Sequence, residues 1–218
     1  MNEQEMAPQL YWHESMAAWT WERLKRFLDE NLPEGRHLEY KQPSYNKQSG
    51  KWELGRKLLE TIVSMANTDD GLIIIGVAEE TDKYPGTMVG INHADPEGAL
   101  RNTCANSIEP SVPLEIQAIP IPPSEEHAGK AVLVVRVRRG LNPPYLLREH
   151  GVFLRMGDQD RHASVGDLQM LFERRSQTQV PEITPWNDVV ARVFRYFNAF
   201  DQVPLPSRPG LRPVHHAR

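Results

Sequence analysis

An α+β fold, a mixed sheet with packed helices, follows from three features of this 218-residue sequence. The branched apolar run Leu72-Ile73-Ile74-Ile75-Gly76-Val77 is bounded by turn residues and reads as a central strand covered on both faces. Before it, Met16 to Asn31 and Leu54 to Asn67 repeat apolar residues at helical spacing. After it, runs of strand composition alternate with two further helical stretches, so helices and strands share one core.

In the first helix the stripe is Trp21, Leu24, Phe27 and Leu28, with Ser15 expected as N-cap. His37 to Gln42 then alternates Leu38 and Tyr40 against Glu39 and Lys41, the pattern of a half-buried strand that sends two charged side chains to one face. A polar loop, Gln42 to Gly50, leads to the helix carrying Leu54, Leu58, Ile62 and Ala66, which should end near Asn67 before the turn Asp69-Asp70-Gly71. Strands are expected at Thr87 to Ile91, Leu114 to Ile119, Ala131 to Val137, Tyr145 to Leu147 and Val152 to Met156. Helices fit Pro96 to Ile108 and Val165 to Glu173, and the loop Pro120 to Gly129 lies at the surface.

Composition bounds the rest. With 39% hydrophobic and 25% charged residues the chain should fold, and a net charge of -4 excludes coating nucleic acid by bulk charge while leaving a local basic patch open. The single Cys104 makes no internal disulfide, so a buried thiol and a cytoplasmic location are expected. Met1 to Trp12 lacks the basic start and apolar run of a secretory signal. The longest apolar run, Gly71 to Ala78, falls far short of the roughly 18 residues of a membrane span. The organisation read from this is an N-terminal segment 1–15, a domain 16–175, a C-terminal helix region 176–202 and a Pro/Arg-rich flexible tail 203–218. The stripe Trp186, Val189, Val190, Val193, Phe194 and Phe197 offers a surface for homo-oligomerisation through residues 186–198.

The chemistry concentrates between Glu34 and Glu79. Strand period two puts Glu39 and Lys41 on one face, and Glu34 lies just upstream. Hard cations such as Mg²⁺ or Mn²⁺ take oxygen ligands, which carboxylates from neighbouring segments supply. A lysine nearby steadies developing phosphate charge. Taken alone, Glu39 and Lys41 read first as a solvated face with a surface ion pair worth about 0–1 kcal/mol. Asn67 and Asp69 suit a helix end and turn, and Glu79 follows a buried strand, where open sheets expose ligand sites.

Together these residues resemble the Schlafen AlbA_2 family, whose pattern is E-S-x-x-x-E-F-K, a helix, A-F-A-N-T-x-G-G and a strand ending I-G-V-D-D. Here stand Glu34 and Glu39 five apart, Lys41, Ala66-Asn67-Thr68 with Gly71, and Ile75-Gly76-Val77-Ala78-Glu79. Val152 to Gly157 followed by Arg161-His162-Ala163-Ser164 looks like the family's Y-x-R-x-G-S-S-T-x-x-A-S segment, so the likeness spans about Trp19 to Arg175. Gly35, Tyr40, Asp70 and Ala78-Glu79 depart from it.

The resemblance implies a single AlbA_2-type domain that binds nucleic acid, RNA ahead of DNA, and a metal-dependent endoribonuclease acting on tRNA- or rRNA-type substrates. Glu34, Glu39 and Glu79 would be catalytic acids and ligands of Mg²⁺ or Mn²⁺, with Lys41 at the scissile phosphate. Glutamate in place of aspartate is one methylene longer, and Glu80 competes with Glu79 as third acid. Lys47, Lys51, Arg56 and Lys57 are expected to contact the phosphate backbone, as are Arg155 and Arg161 through the family match. Trp52 reads as a stacking platform or as a core residue, and Tyr45, like it, lies among these basic residues. The other readings are a DNA-binding or regulatory module without catalysis and a scaffold that oligomerises through its C-terminal helix. No G-x-x-x-x-G-K-[ST] loop, zinc-ligand spacing or G-x-S-x-G elbow occurs.

Overall fold

Residues 14–79 and 83–178 are described by the computed structural model, all within one unit that ends at Thr178. The stripe at 186–198, the tail 203–218 and most of segments 1–15 and 176–202 lie outside the described residues, as do Glu80 and the side chain of Glu79.

In chain order the elements are α1 (Trp21–Asp29), β1 (Leu38–Lys41), β2 (Ser44–Tyr45), β3 (Trp52–Glu53), α2 (Arg56–Thr68), β4 (Gly71–Ile75), β5 (Val77–Glu79), β6 (Pro85–Met88), α3 (Pro96–Ser107), β7 (Ile108–Glu109), β8 (Leu114–Pro120), β9 (Ala131–Val137), β10 (Leu146–Leu147), β11 (Phe153–Met156), β12 (Gln159–His162) and α4 (Val165–Thr178). The main sheet runs β1-β4-β9-β8. β1 pairs with β4 in parallel, and β4–β9 and β9–β8 are antiparallel. The α+β class with a mixed sheet therefore holds.

Strand alternation builds the two cores. Leu72 and Ile74 of β4, with Val132 and Val134 of β9, face Leu24 and Phe27 of α1 and Trp19. Ile73 and Ile75, with Leu133, Val135 and Val137, face Ile62, Val63 and Met65 of α2 and Leu100 of α3. Every residue of β4 is buried, as a strand covered on both faces requires. Burying side chains of this size contributes roughly 1.5–3 kcal/mol each, so β4 anchors both layers.

Several expectations are corrected. The first helix begins at Trp21, capped by the Thr20 hydroxyl, which accepts from Arg23 N at 3.3 Å. Ser15 instead precedes a 3₁₀ turn, Met16–Ala18, without a side-chain cap, because the chain must bend to bring Trp19 into the core. The apolar run 72–77 is two strands. Gly76 divides them at φ +119°, a conformation that favours glycine, and its carbonyl accepts from Val89 and Gly90 N. The loop Gln42 to Gly50 contains β2, paired with β3, and β7 and β12 are further strands. The last described helix runs five residues beyond Glu173, to Thr178.

Candidate nucleic-acid and metal site

Leu38 and Tyr40 occupy the α1 core, so period two sends Glu39 and Lys41 toward α2. There Glu39 is 5% exposed and meets two cations: Lys41 Nζ lies 2.5 Å from its Oε1, and Arg155 donates to its Oε2. The strand is thus buried on both faces rather than half-buried, and the Glu39–Lys41 pair is sheltered from water. Its electrostatics are accordingly stronger than those of a surface pair.

Arg155 organises this site. Only 1% exposed, it donates to the Gly35 carbonyl from two nitrogens (3.2 and 2.8 Å), to Glu39, and to Asp160 Oδ1 at 3.1 Å. Burial works against its charge, but Glu39 and Asp160 outweigh that, and its pKa is raised. Asp160 also accepts from the hydroxyls of Thr61, at 2.7 Å, and Ser64. A guanidinium suits this position because its fork reaches two carboxylates and a carbonyl at once.

Glu34 sits at the free edge of β1, where its Oε1 accepts from Tyr40 N at 2.9 Å. Its own N–H donates to the Lys83 carbonyl at 2.8 Å, and Lys83 Nζ pairs with Asp158 at 2.6 Å. Pro85, two residues on, pairs with Glu79 across β5–β6, and β5 packs beside β1. The Glu34 backbone and the β5–β6 hairpin that carries Glu79 are thus tied through Lys83, while among the described residues no group of three His, Cys, Asp or Glu side chains is placed to hold a metal ion. Between β1 and α2 opens a cleft of about 510 Å³ lined by Glu39, Lys41, Lys57, Thr61, Asp158 and Asp160.

The remaining expected contacts divide by burial. Lys47 and Lys51 are exposed at the β2–β3 turn. Arg56 and Lys57 are exposed and reach Glu60 at 3.1 and 3.3 Å. Trp52 is 9% exposed and belongs to the α2 core, although its edge reaches the cleft wall. The Tyr45 hydroxyl is held by Asn92 N at 2.8 Å. Arg155, expected on the phosphate backbone, is buried, and its guanidinium turns inward to Glu39 and Asp160. Arg161 is exposed but makes a two-point pair with Asp167 at 2.7 and 3.0 Å. Ser164 and Asp167 cap α4 reciprocally: Ser164 N donates to Asp167, and Asp167 N donates to the Ser164 hydroxyl.

The Schlafen, AlbA_2 family model matches residues 34–164. The chain belongs to the Schlafen AlbA_2 family. Membership supports nucleic-acid binding as its general role. The matched span begins at Glu34 and ends at the Ser164 cap, so every acid and hydroxyl of the Arg155 network falls within it. Curated proteins give no match. Two solved structures are similar. The DIP2311 protein from Corynebacterium diphtheriae is 20% identical over 59% of this chain and 25% of its own, with a TM-score of 0.41. The N-terminal domain of a protein described as related to the ATP-dependent DNA helicase RecG, from Nitrosomonas europaea, is 22% identical over 65% of this chain and 92% of its own, with a TM-score of 0.44. The chain thus spans a quarter of the first and most of the second.

Asp160, Thr61 and Ser64 were not foreseen in this AlbA_2 site. Asp160 hides among turn-type residues, Gly157-Asp158-Gln159-Asp160. The hydroxyls did leave a signal: Lys57, Thr61, Ser64 and Thr68 form one polar stripe of the helix, and a hydroxyl of that stripe that becomes buried needs a partner. No helix among the described residues is long and apolar enough to cross a membrane.

Proposed function

We propose that this Schlafen AlbA_2 domain binds RNA in preference to DNA and is a metal-dependent endoribonuclease. In this reading Glu34, Glu39 and Glu79 hold Mg²⁺ or Mn²⁺, and Lys41 contacts the scissile phosphate. The observation that supports it is a cleft lined by Glu39 with Lys41 and Lys57, on a strand whose edge also holds Glu34 through Tyr40 N. Carboxylate oxygens are the donors a hard cation takes, so the residue types suit the ion, and since no three acids among the described residues already stand together as a ligand set, a bound ion would have to draw them together. A bound ion would activate a water and offset charge on the phosphate in flight. The chain's own part is geometric. Tyr40 N fixes Glu34, Arg155 fixes Glu39, and Lys41 holds a positive charge at the cleft mouth. Incubation with tRNA and Mn²⁺ should give cleavage that Glu34→Gln with Glu39→Gln abolishes. Cleavage that persists in the double variant sinks the assignment.

A second reading, a nucleic-acid-binding or regulatory module without catalysis, is favoured by one feature: both Glu39 oxygens already face cations, Lys41 and Arg155. Calorimetric titration with Mn²⁺ separates the two. The nuclease reading expects saturable uptake that the double variant loses, and the module reading expects none.

A further inference from the structure

On the other side of the β11–β12 hairpin from the acidic cleft lies a second groove, of about 520 Å³, walled by one face of α4 from Asp167 to Gln177. Eleven residues of helix, ten rises of about 1.5 Å, make it about 15 Å long. Five arginines line it against two acids, Asp167 and Glu173, a local excess of three positive charges (5 − 2) in a chain of net charge -4. Three of the five meet an acid, Arg155 at Glu39 and Asp160, Arg161 at Asp167 and Arg36 at Asp69. Arg36, Arg139 and Arg174 carry the field of the groove, Arg36 through a pair that is itself open to water. Arg36 is half exposed and only 3.4 Å from Asp69, Arg139 is exposed, and Arg174 is aimed by the Asn67 carbonyl at 2.6 Å.

We infer that this groove binds single-stranded nucleic acid, with Arg36, Arg139 and Arg174 on the phosphates and Met156 and Met170 against the bases. The inference rests on the nucleic-acid reading above but needs neither metal nor cutting. Its chemistry comes from three observations. The first is charge, which is opposite in sign to that of the whole chain and concentrated in guanidinium groups, whose fork matches phosphate. Arg174 shows the crowding of that charge: burial lowers its pKa most, and the neighbouring Arg139 lowers it further, a repulsion that an anion relieves. The second is length. A groove of about 15 Å suits a chain of phosphates, spaced ~3.4 Å per strand even in a stacked duplex, better than one small anion. The third is the exposure of Met156 (56%) and Met170 (60%) within the same lining. Apolar, polarisable side chains meet base faces only where the bases are splayed out, as in a single strand and not in a duplex.

Fluorescence anisotropy with a labelled single-stranded RNA, in EDTA so that no cutting occurs, tests this on the full chain. The double charge reversal R36E/R139E should weaken binding at least about tenfold and reduce the salt slope by roughly 1.4, two contacts at about 0.7 each. R148E, an exposed arginine outside the groove, is the control and should change affinity less than about twofold. R36Q/R139Q, which adds no negative charge, should show the same direction of change and a wild-type melting curve. A loss in R36E/R139E no greater than in R148E overturns the groove while leaving nucleic-acid binding elsewhere intact. Wild-type protein that binds no RNA overturns both readings. Displacement by duplex RNA as readily as by single strand overturns the single-strand assignment, and displacement by poly-glutamate at equal charge overturns it in favour of an acidic protein.

Discussion

The two sides of the β11–β12 hairpin handle charge in opposite ways. In the cleft, Arg155, Glu39 and Asp160 are buried or nearly so, and each is matched by a fixed partner. In the groove, Arg36 and Arg139 stand in water. A charge removed from water is tolerated only with a partner in good geometry, so the cleft network holds its carboxylates in one arrangement. An exposed charge costs almost nothing to keep, and is available to a ligand. Adjacent positions on one hairpin thus divide the labour, with Arg155 setting the geometry of the acids and Arg161 tying the hairpin to the α4 cap.

The comparison breaks most readily at Arg155. Arg155→Ala leaves Glu39 and Asp160 covered but short of a cation and strips two donors from the Gly35 carbonyl. Breaking one partner of a buried pair costs about 3–5 kcal/mol, and urea denaturation should show a loss in that range. Arg155→Lys keeps the charge but loses the fork, and should fall between the alanine variant and wild type. A loss under about 1 kcal/mol for Arg155→Ala would mean that water reaches the network and that the contrast with the groove is false.

A smaller effect, with a pH signature, belongs to the α4 cap. The Arg161 pair, then the Ser164 hydroxyl and N–H, hold the Asp167 carboxyl well below its ordinary value of 3.8. A folded-state pKa depressed in this way gives stability that is present above the unfolded value and lost as pH falls below it. The gap in Tm between wild type and Asp167→Asn should therefore be widest near neutrality and narrow steadily as pH falls from about 5 to 2. A gap that stays constant over that window would show that the carboxylate charge plays no part in the cap.

Much of this was legible in sequence because it is periodic or local. β9 matched its apolar run from end to end, Ala131 to Val137, and the alternation in β1 placed Glu39 and Lys41 on one face. Breaks in regularity were less legible. Glycine in a continuous apolar run does not announce a positive φ, so Gly76 looked like mid-strand. The two-residue strands β2, β3 and β7 have too few positions to show a period. Arginines were the least legible residues of all. Arg155 and Arg161 sit six positions apart in the same strand-rich stretch, and only the tertiary partners, Glu39 from β1 and Asp160 across the hairpin, decide that one is buried. For the same reason Arg36 and Arg174, remote in sequence, gave no sign that they line one groove.

The smallest expected effect completes the contrast. Arg36 and Arg139 are held by little that folding needs. Arg36 reaches Asp69 at 3.4 Å between two half-exposed side chains, and what fixes Arg139 is its backbone N–H, which donates to Asp70 whatever the side chain is. Exposed pairs contribute roughly 0–1 kcal/mol and isolated surface truncations stay within about 0.5 kcal/mol. Arg36→Ala and Arg139→Ala should therefore each leave the urea midpoint near wild type at low salt and unchanged at high salt, where surface attraction is screened. If Arg139→Ala destabilised the fold as Arg155→Ala does, Arg139 would have to be part of the framework, and the groove would be a structural seam rather than a surface kept open for a ligand.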